Sequence, residues 1–316
     1  MGRSGRGTRP RSRLRPRHDD AVTGRVVTVD RGRFTALVDD IAVSAMRARE
    51  LGRGGIAVGD EVAIVGDTSG ANGSLARIVR VEPRRSVLRR TADDADPVER
   101  VLVANATQLL VVCAVASPEP QPRLVDRALV AACDAGIDSL LCLTKVDLAP
   151  GGAMRAIYDP VGLPIVESGR SNRDTALATL RSRLQDQVTV FVGSSGVGKS
   201  TLVNALVPDA EQRINAVSSS TGKGQHTTTA AIALPLPGAG WIVDTPGIRS
   251  FGLAHVPRDD LVACFADLVA GTAGCPGDCD HLDPSVCELD AWVSAGHAHP
   301  ERLESLRRLL VNRDSL

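Results

Sequence analysis

Aromatic side chains are scarce in this 316-residue chain: four Phe, two Trp and one Tyr, 2% in all. So few rings argue against a nucleic-acid surface that works mainly by stacking bases. No run of about 18 apolar residues occurs, so no membrane-spanning helix is expected. The basic start of the chain has no apolar stretch behind it, which excludes a secretory signal. Cysteine is sparse, with seven residues gathered largely towards the C-terminal end, and this usage fits a reducing cytoplasm. Cys113, Cys133 and Cys142 lie in apolar runs and are expected to be buried core thiols. Net charge is absent too, at a formal value of zero, but the charges are unevenly spread. Residues 3–17 hold Arg3, Arg6, Arg9, Arg11, Arg13, Arg15 and Arg17 without an acid. This Gly/Ser/Pro-rich leader is expected to be disordered. Such blocks either bind nucleic acid or remain solvated tails.

What the chain does contain centres on residues 188–201. The apolar run 188–192 reads as a buried strand. It ends in Gly193-Ser194-Ser195-Gly196-Val197-Gly198-Lys199-Ser200, followed by Thr201 and a helical stretch with Leu202, Val203 and Leu206. Strand, G-x-x-x-x-G-K-[ST] and helix define a phosphate-binding loop. Its glycines let consecutive N–H groups turn towards phosphate oxygens, and the helix N-terminus adds positive potential. Lys199 would reach the terminal phosphates and Ser200 would ligate Mg²⁺.

The length allows two or three small domains. Residues 21–82 read as short strands at 22–29, 34–38, 61–65 and 75–81, punctuated by Gly and Asp, which suggests a small OB-fold barrel. Phe34 is its one aromatic residue, leaving a backbone-contacting RNA surface or a purely structural role. Residues 83–100 read as a charged linker or loop, where Arg84, Arg85, Arg89 and Arg90 either touch phosphate or are solvated. From residue 101 to about 250, strand and helix patterns alternate, as in an α/β domain with a largely parallel sheet. Strands are expected at 108–115, 139–143, 164–166 and 188–192 and helices at 123–134 and 175–184, with a hairpin spanning 230–243.

Two further motifs sit on this frame. Asp244-Thr245-Pro246-Gly247 follows the hairpin. There an Asp can hold Mg²⁺ through water and the Gly247 N–H can sense a γ-phosphate. Thr144-Lys145-Val146-Asp147 resembles the guanine-reading Asn-Lys-x-Asp motif. Its Asp accepts hydrogen bonds from guanine N1–H and N2–H₂, which adenine cannot supply. Thr144 stands for Asn and keeps a hydroxyl but loses the amide. Glu167-Ser168-Gly169 loosely matches a segment that lies beside the base. The order is reversed from ordinary GTPases, because the guanine motif precedes the phosphate loop and the switch comes last. One sheet can still form if the old termini are joined, so the domain is expected to be circularly permuted. Between loop and switch, residues 221–229 supply His226, a candidate water positioner or base, and Thr228 or Thr229 as the threonine that closes onto Mg²⁺. Ile248 occupies the place where many GTPases carry a water-orienting Gln.

Cys275, Cys279, His281 and Cys287 supply three thiolates and an imidazole within 13 residues, a ligand set for one tetrahedral structural Zn²⁺. Helices are expected on either side, at 257–268 and 300–311. The second carries Arg302, Arg307, Arg308 and Arg313 on a face that either docks on RNA or is simply solvated.

A barrel, a permuted GTPase and a Cys₃His segment, in that order, resemble the ribosome small subunit-dependent GTPase A family. The phrases Ala104-Asn105-Ala106-Thr107-Gln108 and Asp126-Arg127 share in the resemblance. It implies an α/β GTPase domain at 87–254 between an OB-fold barrel at 21–86 and a helical zinc-binding domain at 255–316, with residues 1–20 as an added leader. It implies GTP hydrolysis to GDP and phosphate, slow alone and faster on the small (30S) ribosomal subunit, in late maturation of that subunit. The implied partners are the subunit and its 16S rRNA, with no membrane, in a cytoplasmic monomer. The Cys-x₃-Cys spacing is one residue shorter than the family's usual Cys-x₄-Cys. An RNA-binding scaffold with a vestigial pocket is disfavoured by the presence of Lys199, Ser200, Asp244 and Asp147, and an ATPase or kinase by Asp147. Because the switch runs directly into the zinc segment, γ-phosphate loss is expected to reorient that segment. Gly247→Ala would then uncouple nucleotide state from affinity for the subunit.

Overall fold

The computed structural model describes residues 18–30, 32–51, 55–91, 99–208, 210, 231–245 and 252–314. Residues 1–17 of the Arg-rich leader lie outside them. Strands β1 (Val22–Asp30), β2 (Arg33–Val38), β3 (Ile41–Arg47), β4 (Glu61–Gly66) and β5 (Ala76–Val81) follow one another in the order β1-β2-β3-β5-β4, and β4 pairs back onto β1. Only the β3–β5 pair is parallel. This is the closed five-stranded barrel expected of an OB-fold. Val26, Phe34, Val43, Ile64 and Ile78 fill its interior. β3 is not among the strands expected from the sequence. The two-residue turn before it consists of Asp39 and Asp40 at φ +47° and +65°. Such turns usually announce themselves as Asn-Gly or Asp-Gly, and Asp-Asp conceals this one.

Arg84, just after the barrel, is structural. Arg84 grips the fully buried carboxylate of Asp60 through Nε at 2.7 Å and Nη2 at 2.8 Å. Arg85 pairs with Glu61, and Arg89 with Glu99. Asn105, in the left-handed region at φ +56°, ties the barrel to the rest of the chain. Its Oδ1 accepts the Arg85 N–H at 2.8 Å, and its Nδ2 donates to the Gly59 carbonyl at 3.0 Å. Gly59 must be glycine, since a Cβ there would lie 2.0 Å from the Ala104 carbonyl oxygen. Arg84→Met leaves Asp60 buried without its cation and is expected to cost about 3 kcal/mol of stability. Urea unfolding measures this. An unchanged midpoint would mean that the Ala57 N–H, which donates to Asp60 Oδ2 at 2.7 Å, suffices alone.

The stretch read as a linker is in part a ribbon. β6 (Val87–Arg90) and β7 (Arg100–Ala104) pair antiparallel. Leu88 and Val103 are fully buried beneath charged neighbours, and two apolar residues among arginines are a weak strand signal. Residues 92–98 lie outside the described residues.

Beyond it, β8 (Gln108–Ala114), β9 (Asp138–Thr144), β10 (Ile165–Ser168), β11 (Val188–Val192), β12 (Ile232–Pro235) and β13 (Trp241–Asp244) form a sheet ordered β10-β9-β8-β11-β13-β12. All neighbours are parallel except β12, the antiparallel edge that touches the barrel through Thr28 and Ile232. β8 is buried on both faces, as a central parallel strand must be. Leu109, Val111 and Cys113 face α1 (Pro122–Asp134) and α2 (Gly152–Tyr158). Leu110, Val112 and Ala114 face α3 (Arg173–Leu184) and α4 (Lys199–Leu206). β11, which leads into the phosphate loop, is inserted between the earlier β8 and the later β13, so chain order and spatial order disagree as a permutation requires.

The C-terminal helices are α5 (Arg258–Ala263), α6 (Ala266–Val269), α7 (Leu289–Ser294) and α8 (Pro300–Asp314). The single helix expected over 257–268 is broken at Cys264–Phe265. Cys264 is disulfide-bonded to Cys133 at the end of α1, and the buried Phe265 ring lies under the Arg302 guanidinium at 4.4 Å. Cys133 is therefore not the buried thiol expected: it is exposed and bonded, whereas Cys113 and Cys142 are buried and free. Nor do Arg302, Arg307 and Arg308 form an open basic face. Arg302 is buried between Asp126 Oδ1 at 2.5 Å and Asp267 Oδ1 at 3.0 Å. Arg307 pairs with Asp290, and Arg308 with Glu304. Asp126 of the family-like phrase thus anchors α8 to α1.

Candidate functional site

The phosphate loop, packed beside the Asp244 strand end, and two further chain segments meet at the carboxyl ends of the parallel strands. β11 ends at Val192 and the chain turns through Gly193. A Cβ on Gly193 would lie 2.5 Å from the Val112 carbonyl oxygen, so only glycine lets the loop leave between β8 and β11. Gly196 and Gly198 take φ +79° and +93°, the left-handed conformations that turn a backbone into an anion cradle. Ser194 is half-buried, Ser195 exposed and Val197 buried, anchoring the loop. Gly198 caps α4, which begins at Lys199. Lys199 is nearly buried and its Nζ is ion-paired with Asp244 Oδ1 at the end of β13. Ser200 and Thr201 are exposed on the first turn of α4. Thr245 is buried and donates through Oγ1 to the Phe191 carbonyl at 2.6 Å, fixing the switch strand against the loop strand.

The second segment ends β9. Thr144 is buried, and its hydroxyl donates to the Val197 carbonyl of the phosphate loop at 2.6 Å. The residue that departs from the Asn-Lys-x-Asp pattern therefore bridges the base-reading and phosphate-binding elements with a hydroxyl. Lys145, at φ +60°, extends its Nζ to the Ser117 carbonyl after β8. The Val146 N–H contacts the Ser168 carbonyl at 3.5 Å. Asp147 Oδ1 accepts the Arg170 N–H at 3.2 Å, with the Arg170 guanidinium 3.8 Å from Oδ2.

The third segment is 167–169 at the end of β10, where Ser168 lies opposite Thr144 in register. Gly169 abuts Asp147 so closely that a Cβ would lie 2.9 Å from Oδ1. The weak sequence match thus falls beside the base-reading Asp. Asn172 holds this turn by accepting the Gly169 N–H at 2.7 Å and donating to the Glu167 carbonyl at 3.0 Å. Sequence reading passed over Ser117, Arg170 and Asn172. The Asn just ahead of α3 was the available signal for one of them. Residues 211–230, with His226, Thr228 and Thr229, and residues 246–251, with Gly247 and Ile248, lie outside the described residues.

A separate cluster forms between the short turn at 270–274 and α7. The ligating atoms of Cys275, Cys279, His281 and Cys287 all lie within 4.8 Å of one another. Cys275 Sγ is 4.0 Å from Cys287 Sγ, which is 3.7 Å from His281 Nδ1. A tetrahedron with Zn–S bonds of 2.3 Å has edges of about 3.8 Å, so the donor set fits Zn²⁺ in spacing and chemistry. Burial, reinforced by the sulfurs of Cys275 and Cys279, pushes the Cys287 thiol up to about 11. A divalent cation would reverse that preference by binding the thiolate. Burial and the Arg258 guanidinium lower the His281 imidazole towards the neutral form that ligates metal. Arg307 braces the loop from α8, donating Nε to the His281 carbonyl at 2.9 Å and Nη1 to Asp290 Oδ1 at 2.9 Å.

A buried lysine at the head of the loop helix, an aspartate at the neighbouring strand end and a Thr-Lys-Val-Asp segment two strands away define a P-loop GTPase with permuted motif order. The RsgA GTPase family profile matches residues 81–254. The small ribosomal subunit biogenesis GTPase RsgA of Pseudomonas aeruginosa is 40% identical over 248 residues, 76% of this chain and 72% of that protein. The chain therefore belongs to the RsgA GTPase family. Its fold is shared by YjeQ from Thermotoga maritima, at TM-score 0.71 and 24% identity over 94% of this chain and 99% of that one. It is shared also by YloQ, described as a circularly permuted GTPase, at TM-score 0.68 and 21% identity over 96% and 98% of the two chains.

Proposed function

We propose that this protein hydrolyses GTP to GDP and phosphate and uses the reaction as a switch in late maturation of the small ribosomal subunit. The convergence of Lys199, Asp244 and Thr144–Asp147 at the carboxyl ends of the parallel strands carries the chemical part of this reading. The RsgA relatives support the biological part. In this reading Gly193–Thr201 cradle the phosphates, Lys199 contacts the terminal ones, and Asp147 reads guanine with Lys145 and Val146 along the base. Ser200, Thr228 and Asp244 hold Mg²⁺, which would neutralise charge developing on the transferred phosphoryl group. The Gly247 N–H senses the γ-phosphate, and His226 positions the attacking water in place of the missing Gln.

Hydrolysis is slow without the subunit and faster on it, where the protein contacts 16S rRNA as a cytoplasmic monomer. The chain divides into a leader (1–20), the barrel (21–86), the GTPase domain (87–254) and a C-terminal domain (255–316) around one structural Zn²⁺. GTP turnover with and without purified small subunits tests this directly. Strong stimulation supports the switch. No hydrolysis in either condition, with RNA binding intact, overturns it in favour of an assembly scaffold.

Thr144 gives a finer test. Removing its hydroxyl in Thr144→Val leaves the buried Val197 carbonyl without its donor, worth about 1.5 kcal/mol. Because the bond is already made in the nucleotide-free protein, urea unfolding should show the loss in full, and GDP binding, followed with a fluorescent analogue, should weaken by at most about tenfold. Thr144→Asn should stay close to wild type if the amide reaches the same carbonyl.

A further inference from the structure

At the amino ends of β8, β9 and β10, across the sheet from the phosphate loop, lies a cavity of about 530 Å³. Cys133 and Cys264 form part of its wall, with Gln108, Asp138, Ser139 and Arg183 around them. We propose that this cavity is a thiol-exchange site, at which a small zwitterionic thiol bearing a carboxylate opens and closes the covalent link between α1 and the C-terminal helices. The proposal goes beyond the GTPase reading.

Three observations carry it. The bonded sulfurs join residues 131 apart in sequence, with Cα atoms 5.8 Å apart, so the link connects two separate parts of the chain. Cys133 is exposed and Cys264 half-buried, whereas the free Cys113 and Cys142 are sealed in the core. Attack on the bonded pair is therefore sterically open. The cavity is large enough for a tripeptide-sized molecule. The exposed guanidinium of Arg183 and the carboxylate of Asp138 offer one charge of each sign, complementary to a zwitterion. In the cytoplasm that the ribosomal role implies, disulfides are characteristically transient and redox-sensing.

The chemistry is a two-step exchange. A small thiol loses its proton and attacks one sulfur, forming a mixed disulfide and expelling the other cysteine as a thiolate, which takes up a proton. A second small thiol displaces the first. Two small thiols become one small disulfide, and two electrons and two protons pass to Cys133 and Cys264. A small disulfide drives the reverse. Arg302 with Asp126 and Asp267 still holds α8 to α1 after opening, so the C-terminal helices loosen without detaching.

The test uses the full-length, zinc-loaded protein in glutathione buffers of graded redox ratio, trapped with iodoacetamide and mapped by mass spectrometry. The expected result is a Cys133–Cys264-linked peptide under oxidising buffer, lost under reducing buffer. In Cys264→Ser, a glutathione adduct should accumulate on Cys133. Arg183→Glu should slow opening by glutathione about threefold, the size of an exposed charge contact, and leave opening by neutral 2-mercaptoethanol unchanged. Amide exchange across α5 and α6, which flank Cys264, should rise about tenfold on opening. Absence of the linked peptide, or adducts confined to Cys275, Cys279 and Cys287, overturns the site. An Arg183→Glu effect that is nil, or equal for both thiols, overturns recognition by the cavity. Unchanged exchange in α5 and α6 overturns the link's mechanical role.

Discussion

Lys199→Ala is expected to lower kcat/KM for GTP by about 10³-fold while leaving the protein folded. Lys199 is nearly buried at the start of α4 and is ion-paired with Asp244. Its ammonium therefore sits where phosphate charge would gather, in a site that excludes most water and magnifies its effect. The loss should fall chiefly on kcat, because loop N–H groups and Asp147 still bind the ground state. Asp244 loses its cation in the variant, so a folding check by circular dichroism is needed beside the rate. Turnover within tenfold of wild type would show that the ammonium is not aimed at the reacting phosphate. Addition of small subunits should not restore the rate, since the ammonium has been lost from the phosphate-loop helix itself.

Removing the zinc proposed for the Cys₃His cluster is expected to have the second large effect. Structural zinc sites contribute apparent binding energies of about 10–16 kcal/mol in isolated finger peptides. Cys275, Cys279, His281 and Cys287 belong to a stretch of short helices and turns. Its one fully buried aliphatic anchor is Leu289, with Leu282, Trp292 and Val293 only partly buried against the core. A strong chelator should release about one zinc per chain, read with a metallochromic dye. It should also unfold residues 275–294 while β8–β11 remain protected from hydrogen exchange. Cys279→Ser should lower zinc content and reproduce the unfolding. Three thiols must deprotonate to bind, so affinity weakens as pH falls. A chelated protein with an intact α7 would mean that the cluster folds without its ion.

The chemistry-bearing stretches were the most legible parts of the chain. A phosphate loop is written in backbone requirements: glycines at φ +79° and +93° and a lysine at the first position of a helix leave a local signature. The Cys₃His set is likewise local, spanning 13 residues. What escaped depends on partners distant in sequence. Arg302 looked like a surface charge because Asp126 is 176 residues away. Arg84 gave no hint that it would seal Asp60. Cys133 sits in an apolar run like Cys113, and only the fold brings Cys264 to it. β3, β6 and β7 were missed or half-missed because pairing, not composition, makes them strands. The helix over 257–268 broke where a disulfide and an aromatic ring, neither visible in helical periodicity, redirect the backbone.

The insertion of β11 between β8 and β13 also has a consequence for synthesis. Translation yields the barrel first, then β8, β9 and β10, which can pair as soon as they emerge. One long edge of β8, apolar on both faces, then has no neighbour until Val188–Val192 is made. A ribosome pausing between residues 114 and 188 would hold a nascent sheet whose open edge is the future centre of the molecule, and open apolar edges of this kind invite pairing with other chains. In the ordinary motif order the phosphate-loop strand precedes the guanine-motif strand and is already waiting for its neighbour. Reordering the gene has therefore moved the hazard of misassembly from the end of the sheet to its middle, where the speed of translation through α1, α2 and α3 sets how long it lasts.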